Sequence, residues 1–128
     1  PMVYTPIGGE LEQAAASLAR PLEIHVCVDT GIGRVGVPHG EAAPLIRDLA
    51  ARRNVRLAGV MMTFTEDQVF DREQLKRFTD LTGELTAAGI ALGRRHAASS
   101  FTMFQHDDAW LDMVRTGMVL YGVYPDPK

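Results

Sequence analysis

Apolar residues along this chain fall into two spacings, and each spacing predicts a different element. Residues 24–28 read as a strand, and the run at 57–64 has the continuous apolar character of a strand covered on both faces, with Met61 and Met62 in the core. Shorter strand candidates lie at 2–5 and 94–101. Between the runs, apolar residues recur at helical spacing. Residues 10–19 carry Leu11, Ala14, Ala15 and Leu18 ahead of Pro21, and residues 38–53 carry Leu45, Ile46 and Leu49 with Pro44 near the first turn. Residues 71–88 carry Leu75, Phe78, Leu81 and Leu85, with Asp71 as N-cap, Gln74 as its capping-box partner and Gly89 behind them. A short helix is expected from Phe101 to Phe104, Asp107 and Asp108 mark a loop, and Trp110 packs inward. Residues 111–122 then read as a buried strand ending in a turn. Strand and helix thus alternate four times before a final strand, the order of an α/β fold whose parallel strands are joined by helical crossovers.

Composition narrows this picture. The 128 residues, 46% hydrophobic and 23% charged, are enough for one domain with a real core. No apolar run approaches the ~20 residues a membrane helix needs, and no signal segment opens the chain. The single cysteine, Cys27, excludes an internal disulfide and a multi-cysteine metal site, and points to a cytoplasmic protein without a metal. A net charge of −3 without a basic cluster argues against nucleic acid or an anionic membrane and leaves a small molecule as the expected ligand. The chain opens on Pro1 and stops soon after its last predicted strand, so it reads as a piece of something longer.

Candidate chemistry gathers where the strands end. Arg115 is the anomaly, a guanidinium inside an apolar run, and it needs an anion, a carboxylate such as Asp112, or a nitrogen acceptor. Gly117 follows closely, where a missing side chain lets backbone N–H groups approach an anion. Gly31, Gly33 and Gly36 surround Arg34 in a loop whose backbone lies close to something, although the glycine-lysine ending of a nucleotide loop is missing. A plain salt bridge at Arg115 and a plain glycine turn at Arg34 remain the simpler alternatives. Yet Arg34, Thr63, His96, Ser99, Ser100, Arg115 and Gly117 all fall at or just beyond the C-terminal ends of predicted strands. In a β/α barrel that end carries the active site, and Ser100 with Gly117 would suit its phosphate subsite.

Three blocks carry a family resemblance: Asp29-Thr-Gly-Ile-Gly-Arg34-Val-Gly, His96-Ala-Ala-Ser-Ser100, and Met113-Val-Arg115-Thr-Gly117-Met-Val-Leu-Tyr121-Gly122. Through them nearly the whole chain resembles the barrel domain of alanine racemase, a pyridoxal-phosphate enzyme of the fold type III group. The resemblance implies a partial TIM-type (β/α) barrel, strands four to eight, with residues 1–128 as a single partial domain. The first three strands, bearing the Schiff-base lysine, and the C-terminal β-domain, bearing a tyrosine that serves the partner subunit of a homodimer, would lie outside it. It also implies that Arg115 bonds the cofactor's pyridine nitrogen, oriented by His96. Ser100, Gly117 and Met118 would hold the phosphate, and Arg34 would reach the phenolic oxygen. Arg34 and Arg115 are thus the catalytic candidates. A guanidinium donates without surrendering its proton, so the ring stays neutral and reprotonation at Cα is favoured over transamination. Three positions depart from the family: Thr63 stands for a histidine, Ser99 for an asparagine beside the cofactor, and Cys27 for a lysine that many members carbamylate. The implied activity is interconversion of L- and D-alanine, supplying D-alanine for peptidoglycan. A related enzyme acting on another amino acid, a pyridoxal-phosphate binder without racemase activity, and a non-catalytic scaffold are the alternatives.

Overall fold

The computed structural model describes residues 1–124. Its sheet is built from strands β1 (Met2–Val3), β2 (Leu22–Asp29), β3 (Val37–Pro38), β4 (Val55–Met61) and β5 (Arg94–His96). They are joined through helices α1 (Gly8–Ala15), α2 (His39–Ala50) and α3 (Gln68–Ala87). The order is β1-β2-β4-β5 with every pair parallel, and β3 attaches only to the end of β2. Strand alternation, shifted by the register slip between Ile24 and His25, sends Ile24, Val26, Val28, Leu57 and Val60 into one core with Met62 just beyond β4 and Leu45, Ile46, Leu49, Leu75, Phe78, Leu81 and Leu85 of the helices. Along the ladder Cys27 pairs with Met61 and Met61 with His96, so these three lie in one register, with His25 and Gly59 in another. Met62 is therefore core, whereas Met61 is only half-buried.

Several local expectations are corrected. Helix α1 begins at Gly8 and stops at Ala15, with Ala14 on its exposed side and Leu18 exposed in the turns beyond it. Pro44 lies well inside α2, on its exposed side, where it withholds a donor from the Gly40 carbonyl. The N-cap of α3 is Asp67, whose extended backbone lets its carboxylate accept from the N–H groups of Val69 and Phe70 at 3.0 Å each. Asp71 and Gln74 point inward instead, and hold the preceding loop through Thr65 and Glu66. The short helix after Ser100 is a single 3-10 turn, Thr102–Phe104. Trp110 is exposed, with its indole N–H on the Met103 carbonyl at 2.8 Å.

The largest correction is the last strand. Only one bridge forms there, Ser99 with Arg115 in parallel, before Gly117 turns the chain into the 3-10 helix Met118–Tyr121. A strand needs a ladder along its length. Beyond Arg115 the N–H groups of Gly117 and Val119 go to the Ser100 side chain, not to a neighbouring strand. Phe104, Met118, Leu120, Tyr121 and Tyr124 are left exposed in this region. Among the described residues no helix is long and apolar enough to cross a membrane.

Candidate functional site

Because β2, β4 and β5 run parallel, the segments that follow them meet at one end of the sheet, and Arg115 enters that end on its bridge to Ser99. Its Nη1 donates to His96 Nδ1 at 2.9 Å and to the His96 carbonyl at 3.0 Å. Its Nη2 donates to the carbonyls of Met62 at 2.8 Å and Ala97 at 3.1 Å. A guanidinium has five N–H donors, so among the described residues only Nε–H is left without a partner. The expected alternative, a pair with Asp112, does not form. Arg115 is drawn inward by its N–H bond to the Ala98 carbonyl, while the exposed Asp112 accepts from the backbone and guanidinium of Arg95 at 2.8, 3.0 and 3.2 Å.

Neutral groups surround this cation. His96 is 3% exposed, and burial, then the Arg115 charge, then His25, push its imidazole down to about 4. Burial also lowers the Arg115 guanidinium and raises the Cys27 thiol, whose Sγ sits 3.6 Å from the Val35 carbonyl. Cys27 is thus a neutral thiol next to the site.

Ser100 is the second focus. It is buried, and its Oγ accepts from the N–H groups of Gly117 at 2.8 Å and Val119 at 3.4 Å, with Met118 between them. Ser99 is engaged by Thr102, through its N–H at 2.7 Å and its hydroxyl at 3.3 Å. Thr63 is half-buried, and its carbonyl accepts from Gln74 at 3.3 Å. The structure therefore gathers His96, Ser99, Ser100, Arg115 and Gly117, and sets Thr63 just beyond Met62, whose carbonyl holds Arg115.

Arg34 stands apart. It is exposed, and among the described residues it bonds none of the other candidates. The glycines around it serve their own loop: Asp29 accepts from the N–H groups of Gly31 at 2.8 Å and Gly33 at 3.0 Å. A Cβ at Gly36, where φ is +132°, would lie 2.6 Å from the Asp29 nitrogen, so only glycine lets β3 close against β2. Among the described residues no group of side chains is set to hold a metal.

Sequence reasoning missed His25, which meets His96 across β4, and Thr102, which fixes Ser99. The available signal for His25 was its place two residues before Cys27 on a strand, and hence on the same face.

Comparison with known proteins bears on all of this. The chain matches the family described as alanine racemase, N-terminal domain, over residues 8–125. The alanine racemase of Desulfovibrio desulfuricans is 40% identical over 122 residues, covering 92% of this chain and 33% of that protein. That of Chlorobaculum tepidum is 39% identical over 117 residues, covering 89% and 30%. Among solved structures, Clostridium difficile alanine racemase in complex with cycloserine superimposes with a TM-score of 0.91 at 26% identity, covering 98% of this chain and 36% of that one. Alanine racemase of Streptomyces lavendulae gives 0.88 at 29% identity, covering 98% and 35%. The chain spans about one third of the length of these relatives. With the match running from the first helix through the last described residue, this chain belongs to the alanine racemase N-terminal domain family.

Proposed function

We propose that residues 1–128 form strands four to eight of a TIM-type barrel, and that the protein they belong to is a pyridoxal-phosphate-dependent racemase interconverting L- and D-alanine. The observation that carries this reading is the Arg115 Nε–H, the one donor of that side chain without a partner among the described residues, fixed in direction by His96 and three carbonyls. The residues present fit the cofactor. A ring nitrogen with a lone pair matches a single N–H, and a phosphate would take the Ser100 hydroxyl together with the Gly117 and Val119 N–H groups that now donate to it, with Met118 between them. When bound, pyridoxal phosphate supplies the electron-withdrawing ring that acidifies the α-proton of an amino acid.

This chain's residues position and tune. Arg115 donates a hydrogen bond without yielding its proton, so the nitrogen it meets stays unprotonated. The exposed Arg34 would supply a cation for a phenolate oxygen, and Thr63 and Ser99, both half-buried, would offer their hydroxyls to the cofactor. The lysine that joins the cofactor is assigned outside the described residues, because Lys76, the one lysine among them, is an exposed α3 side chain paired with Asp80 at 2.5 Å. A homodimer with shared sites, a cytoplasmic location and a supply of D-alanine for peptidoglycan belong to the same proposal.

A second reading, a related enzyme acting on another amino acid, is favoured by Thr63. Where the family carries an imidazole, this chain offers a hydroxyl and a carbonyl tied to Gln74. The test is the full-length protein loaded with pyridoxal phosphate and assayed on alanine and a panel of other amino acids. Alanine racemisation is expected, and Arg115→Glu should add a long-wavelength absorption band when alanine is mixed in. Turnover of another amino acid with alanine inert would establish the second reading. Failure to take up the cofactor would overturn both.

A further inference from the structure

We propose that His25 is a positioning residue, which locks the tautomer of His96 and through it the aim of Arg115. The inference rests on the cofactor reading only for its catalytic consequence; the lock itself is a property of the chain.

The direction of every proton follows from one end. Arg115 can only donate, so His96 Nδ1, 2.9 Å from its Nη1, must be the acceptor. Burial, aided for His96 by the Arg115 charge, keeps both rings neutral near neutral pH. A neutral imidazole with a lone pair on Nδ1 carries its hydrogen on Nε2. His96 Nε2 lies 2.8 Å from His25 Nδ1, so His96 donates there and His25 in turn carries its hydrogen on Nε2. Three groups are thus aligned in one sense, each polarising the next, and His25 is the acceptor that terminates the run.

The local structure is shaped to make this contact. His25 is on β2 and His96 on β5, with β4 between them. The β2–β4 register slips between Ile24 and His25, so that His25 pairs with Gly59 and not with Ala58. At Gly59 an added Cβ would lie 2.5 Å from His25 Nδ1 and 2.6 Å from its Cε1. The ring crosses β4 through the space a side chain would fill, and meets His96 edge-on at a centroid distance of 5.0 Å. A ring that merely filled the interior would need neither the slip nor the gap.

Without His25, the buried Nε2–H of His96 loses its acceptor. His96 then gains nothing from holding its lone pair toward Arg115, and the second tautomer, with N–H facing the guanidinium, becomes populated. His25→Asn would keep an acceptor, because an asparagine Oδ1 occupies the place of the histidine Nδ1, whereas His25→Leu would fill the space without one.

The experiment uses the full-length protein with isotopically labelled histidine, read by nitrogen NMR before and after cofactor loading. The wild type should show hydrogen on Nε2 of both rings. His25→Leu should give mixed tautomers at His96 and roughly a 5- to 10-fold loss of kcat, the scale of one hydrogen bond, while His25→Asn keeps the single tautomer and most of the rate. A wild-type His96 protonated on Nδ1, or a His96 tautomer unmoved by His25→Leu, overturns the proposal, as does equal damage from the two substitutions. If the tautomers are as drawn but the loaded protein does not racemise alanine, the lock stands and the proposed reaction falls.

Discussion

A histidine held neutral in the folded chain makes stability depend on pH. The unfolded chain binds a proton to His96 near its ordinary 6.5, whereas the folded chain resists until about 4. Stability from this residue is therefore full above 6.5, falls as pH drops toward 4, and levels off below it, by at most about 3 kcal/mol. Denaturant unfolding of the full-length protein across that window should show the decline, and His96→Gln should flatten it; an equal slope in both would assign the effect to other groups. At this scale Arg115 was legible because a charge inside an apolar run must find partners. Composition alone did not decide between Asp112 and a nitrogen acceptor, a choice that turned on Arg95 capturing Asp112, and only the family resemblance named His96. That Ser100 and Gly117 belong together was legible, while the bonds of the Ser100 hydroxyl to Gly117 and Val119 depend on how the chain turns after Arg115.

Elements are legible where one face carries its own signal. The stripes of α2 and α3 name their buried residues, because a 3.6-residue period identifies a face without knowing what covers it. The final strand is not legible in this way, because apolar content alone does not supply a ladder partner. The N-cap of α3 lies four residues before the expected one because Asp67 and Asp71 are chemically equal, and only the backbone turn at Glu66, φ 70°, decides between them. Gly59 tests how tightly β2, β4 and β5 fit. Gly59→Ala would press on both His25 and the Arg94 carbonyl, at 2.5 and 2.6 Å, and should cost about 1–3 kcal/mol by denaturant titration. A neutral substitution would mean that His25 moves aside freely, and would weaken its assigned role.

For the molecule as a whole, the parallel α/β sheet followed from the alternation of runs and stripes, while the extent of a barrel did not. The 128 residues alone should not racemise alanine, because no lysine faces the Arg115 end among the described residues and a second proton donor is assigned elsewhere. They should also self-associate: Leu120 and Tyr121 are 75% and 88% exposed, and β1 and β5 stand at sheet edges. Turnover by the purified chain, or a single monomeric species in sedimentation, would contradict the assigned fraction of the fold. The order β1-β2-β4-β5 reaches further, into how the chain is made. Each long strand lies beside the one synthesised just before it, so as the ribosome releases a strand its template is already in place. Along β1-β2-β4-β5 no partner has to wait for a distant segment, and this part of the sheet assembles as a sequence of loop closures, each strand a landing site for the next.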